Sequence, residues 1–254
     1  MITTFGWFGY VLPIKERIGI IKQAGFDGVM LWWSETLGNP DYRSAPQWAR
    51  EAGLFVENVH TPYRDMNKIW LDNLDGESIT ELLLTVIDDC VEYAIPTMIL
   101  HLSNSGSPPP CETGLNRVRR IVEKAERCAV NVAFENLWEL ELLEYVLDNI
   151  GSNRAGFCFD SGHHHCRARN HDLLSKYGSR LMALHLHDND GVDDQHRLPF
   201  DGTIDWQATM NKIAQTGYKG PIALELGNMG YEGLSPKAFM RLAYERAKRL
   251  EALM

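Results

Sequence analysis

The chain lacks several features that mark whole classes of protein. Its five cysteines are an odd number with no CxxC spacing, which favours reduced thiols in a cytoplasmic protein over a disulfide framework. No apolar run approaches the ~20 residues of a membrane helix, and the N-terminus has no basic segment typical of a signal peptide. There is no GxGxxG or Walker phosphate loop, which disfavours a doubly wound sheet. These absences predict a soluble, cytosolic protein with no membrane partner.

Positive charge is also scarce. The 254 residues contain 25 Lys and Arg against 34 Asp and Glu, so the formal net charge is -9. General nucleic-acid binding requires a basic surface, and this balance therefore disfavours a nucleic-acid partner. A chain of this length that is 44% hydrophobic can bury a large core.

Strand-like and helix-like patterns alternate through the whole sequence. The predicted strands are Ile2–Phe8, Phe26–Trp33, Leu54–His60, Thr97–Leu102, Asn131–Leu137, Ala155–Asp160, Leu181–His187 and Pro221–Leu226. The predicted helices are Pro13–Ala24, Ser44–Ala52, Glu77–Tyr93, Glu112–Ala129, Glu139–Asn149, His171–Tyr177, Trp206–Thr216 and Pro236–Leu250. Eight such units in about 250 residues predict an α/β fold, a single (β/α)8 TIM-barrel domain spanning residues 1–254.

Histidine and carboxylate side chains stand at the carboxyl ends of six consecutive predicted strands and in the loops that follow them. These residues are His60, His101, Glu135, Asp160, His163, His185, His187, Asp194, His196 and Glu225. Barrel enzymes place their chemistry at this end of the strands. Burying so many ionisable groups together is costly unless a cation pairs them. Imidazole and carboxylate ligands suit Zn, Mn, Co or Mg, so the sequence predicts a divalent-metal site.

Four motifs, VAFEN, CFDSGHHH, HLHDNDG with the following FDGTIDW, and IALELG, resemble the xylose isomerase-like TIM barrels. That superfamily includes sugar isomerases and epimerases and also endonuclease IV, and the resemblance covers essentially the whole chain. In its ketose 3-epimerase branch, one divalent ion is held by a Glu, Asp, His, Glu set. The resemblance assigns that set to Glu135, Asp160, His185 and Glu225.

The same branch implies roles for further residues. The two glutamates, Glu135 and Glu225, would move the proton of a small carbohydrate through a metal-held ene-diolate. The branch also places His163 and Glu141 on the substrate. An arginine follows the metal histidine by six residues in that branch, whereas Gly191 stands there in this chain. Arg197 is the candidate replacement.

The endonuclease IV branch implies an alternative, a trinuclear zinc phosphodiesterase that acts on abasic DNA. Its three zinc ions use more ligands, and the chain also matches that pattern. The added candidates are His60 and His101 with Glu135, and His163 with Asp194 and His196. The low count of basic residues near the strand ends argues against DNA as the substrate.

Two further expectations complete the hypothesis. His185 fits the H-x-x-D form with Asp188 and is therefore the preferred metal ligand. His187 would then hold a metal ligand in place or contact the substrate. Trp7 and three other tryptophans, Trp32, Trp33 and Trp138, are predicted to wall a small-molecule pocket. The sequence thus favours a metal-dependent sugar isomerase or epimerase, with one ion in this reading and up to three zinc ions in the alternative. Base rates favour a homo-oligomer.

Overall fold

A computed structural model describes all residues, 1–254, and shows a ring of eight parallel strands. The strands are β1 (Ile2–Phe5), β2 (Gly28–Trp32), β3 (Phe55–His60), β4 (Thr97–Leu100), β5 (Asn131–Glu135), β6 (Ala155–Asp160), β7 (Leu181–His185) and β8 (Ile222–Leu224). Each strand pairs with the next along the chain from β1 to β7, and β8 pairs with β1. Leu186 closes the ring, because its N–H donates to Ala223 and its carbonyl accepts from Glu225.

Nine α-helices follow the strands in sequence. They are α1 (Ile14–Ala24), α2 (Ala45–Glu51), α3 (Leu74–Glu92), α4 (Glu112–Cys128), α5 (Leu140–Asn149), α6 (Ser161–Arg167), α7 (Leu173–Tyr177), α8 (Trp206–Gln215) and α9 (Pro236–Glu251). The end of α1 shows how the sequence sets a boundary. Gly25 follows it at φ 112°, a left-handed conformation that glycine adopts without a Cβ clash. None of the helices combines the length and the apolar composition needed to cross a bilayer.

The predicted TIM barrel is confirmed, with two systematic differences in its elements. Several predicted strands extend beyond the observed ones at their carboxyl ends, because the chain leaves the ladder there earlier than the apolar pattern indicates. Helix α6 was not predicted, because its sequence, SGHHHCR, has no apolar periodicity. This helix begins at Asp160, whose carboxylate caps it by accepting the N–H of His163 at 2.7 Å.

The barrel interior is layered. Small apolar side chains form a buried layer on four neighbouring strands, namely Ile99, Ala133, Cys158 and Ala183. Side chains two residues further along a strand point to the same face. The next layer up therefore consists of His101, Glu135, Asp160 and His185, all buried. The apolar layer forms a floor, and the polar layer above it lies at the end of the barrel where function is expected.

Candidate metal centre and pocket

Three side chains from adjacent strands form the first metal-ligating group, here called the inner triad: His60, His101 and Glu135. The Nε2 atoms of His60 and His101 lie 3.1 Å apart. Glu135 Oε2 is 3.1 Å from His101 Nε2 and 3.4 Å from His60 Nε2. In a tetrahedral site with bonds of about 2.0–2.1 Å, ligand atoms are roughly 3.3 Å apart. The inner triad therefore has the spacing of three ligands around one ion.

A second group joins the inner triad through Glu135. His185 Nδ1 lies 3.1 Å from Glu135 Oε2 and 3.1 Å from Glu225 Oε2, so one imidazole nitrogen faces both glutamates. Asp160 is turned differently, since both of its carboxylate oxygens are 3.1 Å from His187 Nε2. The epimerase branch assigns four residues to one ion. The structure brings three of them together, Glu135, His185 and Glu225, whereas the fourth, Asp160, faces His187.

The outer triad, His163, Asp194 and His196, lies towards the solvent. Asp194 Oδ2 is 3.1 Å from His163 Nε2 and 3.3 Å from His196 Nε2. The His196 ring stacks on His187 with centroids 4.0 Å apart. His163 Nδ1 is also 3.1 Å from Glu135 Oε1, which connects the outer triad to the inner one. All nine predicted ligand residues, and His187 with them, thus lie in one continuous cluster.

Backbone carbonyls fix the tautomers of three of these histidines. His60 Nδ1 is 2.9 Å from the carbonyl of Thr61, His163 Nδ1 is 3.1 Å from that of Asn136, and His196 Nδ1 is 3.1 Å from that of Glu225. A carbonyl only accepts, so each Nδ1 donates, and the nitrogen that faces the cluster and can give up its proton to a cation is Nε2. Metal-ligating histidines are held in this way.

Ionisation in the cluster follows from burial opposed by neighbouring charges. Burial alone would raise the pKa values of Glu135 and Glu225, but His185 holds both below their ordinary range. Burial alone would lower the pKa of His196, but the Asp194 carboxylate raises it to about 9. For His101, burial outweighs the attraction of Glu135 and lowers the pKa. The carboxylates are therefore anionic at neutral pH, which is the form that binds a cation.

Unpartnered polar atoms support the fit of a cation. Four buried atoms in the cluster make no hydrogen bond of acceptable geometry: Glu135 Oε1 and His185 Nδ1, each with a neighbour at 3.1 Å, and His187 Nδ1 and Asp194 Oδ1. Buried polar atoms are normally paired, and atoms left over in one place call for an explanation. A divalent ion would satisfy such atoms, because carboxylate oxygens and imidazole nitrogens are its usual ligands.

One buried carboxylate next to the cluster has a different task. Asp188 accepts four hydrogen bonds, from the N–H groups of Asn189, Phe200 and Ile204 and from Trp206 Nε1. These bonds fold the loop that carries Asp194 and His196. From the sequence, Asp188 serves only to choose between two histidines, and this role is not predicted. The signal that could have found it is the FDGTIDW segment, which supplies three of the four donors.

A pocket of about 480 Å³ opens above the cluster. Its inner wall is polar, with His60, His101, Glu135, His163 and Glu225 among its lining residues. Apolar side chains line much of the rest, namely Trp7, Trp32, Leu37, Tyr63, Trp138 and Met229, and polar ones lie among them, namely Ser103, Asn104, Ser105, Glu139 and Gln195. Cavities of roughly 300–1,000 Å³ with a few convergent polar groups are typical of small-molecule sites.

The remaining predicted site residues divide into two sets. Trp7 lines the pocket as expected. Glu141 is exposed on the first turn of α5, Arg197 pairs through its backbone with Asp188, and neither lines the pocket. Trp33 points out of the barrel, where its Nε1 donates to Asp89 at 2.8 Å. Glu139, which the sequence analysis did not select, does line the pocket and accepts bonds from Gly106 and Ser107.

Comparison with known proteins gives concordant results. A family model described as "Xylose isomerase-like TIM barrel" matches residues 18–250. Fructoselysine 3-epimerase from Shigella flexneri is 35% identical over 263 aligned positions, which cover 94% of both chains. Probable endonuclease 4 from Mycoplasma capricolum is 24% identical over 55% of both chains. The crystal structure of IolI protein with a bound zinc atom has the same fold, with a TM-score of 0.78 at 14% identity over 99% of this chain and 97% of that chain.

Proposed function

The chain belongs to the xylose isomerase-like TIM barrel family, and from that premise we propose that it is a divalent-metal-dependent isomerase or epimerase of a small carbohydrate. One observation carries the proposal. Two buried carboxylates, Glu135 and Glu225, flank the same imidazole nitrogen of His185 at 3.1 Å on the inner wall of a pocket. The similarity to fructoselysine 3-epimerase over 94% of both chains supports the same class of reaction.

The two glutamates are placed to act as a proton-transfer pair. Both carboxylates are ionised at neutral pH, because His185 holds their pKa values below the ordinary range. One glutamate would remove the proton next to the substrate carbonyl, and the other, after taking a proton from solvent, would give it to the opposite face of that carbon, while the first returns its proton to solvent. Glu135 and Glu225 reach the pocket from β5 and from the end of β8, on different sides of the ring.

The rest of the cluster holds the cation and closes the reacting end of the pocket. We propose Glu135, His185 and Glu225 as ligands of one ion, with Asp160, which faces His187 in this structure, as the fourth ligand that the epimerase branch implies. A bound divalent cation supplies a Lewis acid that polarises the carbonyl oxygen. His163 is buried beside Glu135 and lines the pocket, so it is the candidate partner for a substrate hydroxyl.

Two conservative variants test the acid–base assignment. Glu135→Gln and Glu225→Gln each keep the shape of the side chain but remove its basicity. In deuterated water, we expect wild-type protein to exchange the hydrogen beside the carbonyl of a ketohexose with solvent, and each variant to lose about 10²-fold or more of that rate. Glu141→Gln, an exposed change on α5, is the matched control and should exchange at the wild-type rate. Wild-type-like exchange in a correctly folded Glu135 or Glu225 variant contradicts the assignment.

A trinuclear phosphodiesterase is the second candidate function, and the outer triad is the observation that favours it. Its spacing of 3.1 and 3.3 Å around Asp194 would suit a further zinc ion. The assay is nicking of duplex DNA that contains an abasic site, under zinc-replete conditions. We expect no nicking, because no Lys or Arg lines the pocket. Efficient nicking would replace the isomerase proposal with this one.

A further inference from the structure

One cysteine lies inside the barrel, directly beside the side chains that are proposed to hold the ion. Cys158 is fully buried on β6, where it is the ladder partner of Glu135 on β5 and of Ala183 on β7. The other floor residues, Ile99, Ala133 and Ala183, have purely hydrocarbon side chains. Cys158 is therefore the one residue of the floor whose side chain can bind a metal ion.

The sulfur of this cysteine is close enough to share an ion with the polar layer above it. Cys158 Sγ, a carboxylate oxygen of Glu135 and a ring nitrogen of His185 all lie within 4.8 Å of one another. In a tetrahedral zinc site, with a Zn–S bond of about 2.3 Å and a Zn–N bond of about 2.0 Å, sulfur and nitrogen are roughly 3.5 Å apart. The observed separations therefore permit all three atoms to bind one ion.

Unsatisfied atoms lie at the same place. Both Glu135 and His185 are almost fully buried, yet Glu135 Oε1 and His185 Nδ1 make no hydrogen bond of acceptable geometry. Buried polar atoms are normally paired, and a cation is the partner that suits this pair. Asp160, the fourth ligand in the epimerase branch, has both carboxylate oxygens 3.1 Å from His187 Nε2. While Asp160 stays on His187, a position on the ion is open to another ligand.

We propose that Cys158 is a further ligand of the ion held by His185 and the two glutamates, and that the site therefore selects zinc or cobalt over magnesium or manganese. This inference rests on the metal site of the proposed function and specifies the class of ion that it takes. When the sulfur binds the ion, the S–H bond breaks, the sulfur lone pair forms the bond to the metal and the proton passes to solvent.

The choice of ion follows from the chemistry of sulfur. Thiolate is a soft ligand that favours zinc and cobalt, whereas magnesium and manganese prefer oxygen ligands. A site built only from carboxylates and imidazoles accepts all four ions with less discrimination. One sulfur ligand would therefore give this site a preference that its other ligands do not provide.

X-ray absorption spectroscopy of the zinc-loaded wild type tests for the sulfur directly. We expect a sulfur scatterer at about 2.3 Å from zinc, beside nitrogen and oxygen scatterers at about 2.0–2.1 Å. The cobalt-loaded protein should show a thiolate-to-cobalt charge-transfer band in the near ultraviolet. Cys158→Ser should lose both signals and lower the ratio of zinc to manganese affinity at least about tenfold, measured by competition with a chelator. Cys90→Ser, a matched change at a buried cysteine on α3, should keep the signals and the ratio.

The outcomes separate this inference from the function on which it rests. Zinc bound by the wild type with only nitrogen and oxygen scatterers would overturn the assignment of Cys158 and leave the proposed isomerase site intact. A sulfur signal that persists in Cys158→Ser would also overturn it, because another cysteine would then be the ligand. Sulfur ligation in a protein that exchanges no hydrogen of a ketohexose would support the assignment and contradict the proposed reaction. A wild type that binds no divalent ion would overturn both, and the wild-type spectrum decides the question even if Cys158→Ser fails to fold.

Discussion

Substitution of Asp188 by Asn is predicted to destabilise the protein strongly although the shape of the side chain hardly changes. The carboxylate is fully buried and accepts four hydrogen bonds, two at each oxygen. An amide replaces one of these oxygens with an NH2 group, which faces two donors and leaves them unpaired. A stranded buried donor costs about 1–3 kcal/mol, so we expect a loss of about 2–6 kcal/mol in the free energy of unfolding.

The assay is urea unfolding of the wild type, Asp188→Asn and a matched control from the same loop. Asp190→Asn is that control, because Asp190 is exposed and its bonds lie within the loop tip. We expect the control to change the free energy of unfolding by no more than about 0.5 kcal/mol. The Asp188 variant should also lose activity, since its loop carries Asp194 and His196, which line the pocket. An Asp188→Asn protein with both the stability and the activity of the wild type would refute this reasoning.

Three further predictions concern the cluster itself. A Cβ at Gly162 would lie 1.9 Å from the His187 ring, so Gly162→Ala should lower the free energy of unfolding by about 1–3 kcal/mol and lower activity. Gly19→Ala is the control and should change neither, because nothing lies within 4 Å of a Cβ there. Equal stability and activity in the two variants would count against this prediction. Burial opposes the shift, but Cys158, Glu225 and Glu135 together raise the pKa of His185 above its ordinary value, so metal binding at His185 should release a proton and weaken as the pH falls; calorimetric enthalpies that are the same in buffers of different ionisation enthalpy would contradict this. Chelation should lower Tm by about 5–10 °C, because an ion present at 100 times its Kd stabilises by about 2.7 kcal/mol, and re-added metal should restore it; an unchanged Tm would show that the folded protein binds no such ion.

The sequence alone predicted the barrel and the site's location for a physical reason. Strand and helix periodicities are local properties, and the carboxyl ends of parallel strands meet at one end of a barrel. Once the strands were placed, residues as far apart in sequence as His60 and Glu225 had to converge. Histidine alternation also placed both His185 and His187 on the mouth, where the structure has them.

The errors arose where tertiary contacts decide the outcome. Glu141 was placed on the substrate by its offset from Glu135, but the chain enters α5 at Leu140 and turns that side chain to solvent. Trp32 and Trp33 are adjacent at a strand end, so their side chains point to opposite faces and only one of them can line the pocket. That residue is Trp32, and the two-residue period of a strand would have excluded Trp33 from the pocket wall. The role of Asp188 depends on donors up to 18 residues later in the chain. The FDGTIDW segment contains three of these donors, but only the folded loop brings them together at Asp188.

The most direct test of the account is the metal content of the protein, measured by mass spectrometry after purification without a chelator. The account predicts at least one equivalent of a divalent metal per chain, and its loss in Glu135→Ala, because Glu135 joins the inner triad to His185. One equivalent of metal fits the proposed isomerase site. Two or three equivalents of zinc would favour the trinuclear phosphodiesterase, and phosphodiester substrates would then be tested first. Wild-type protein without metal, and unable to bind added zinc, manganese, cobalt or magnesium, would contradict the central claim.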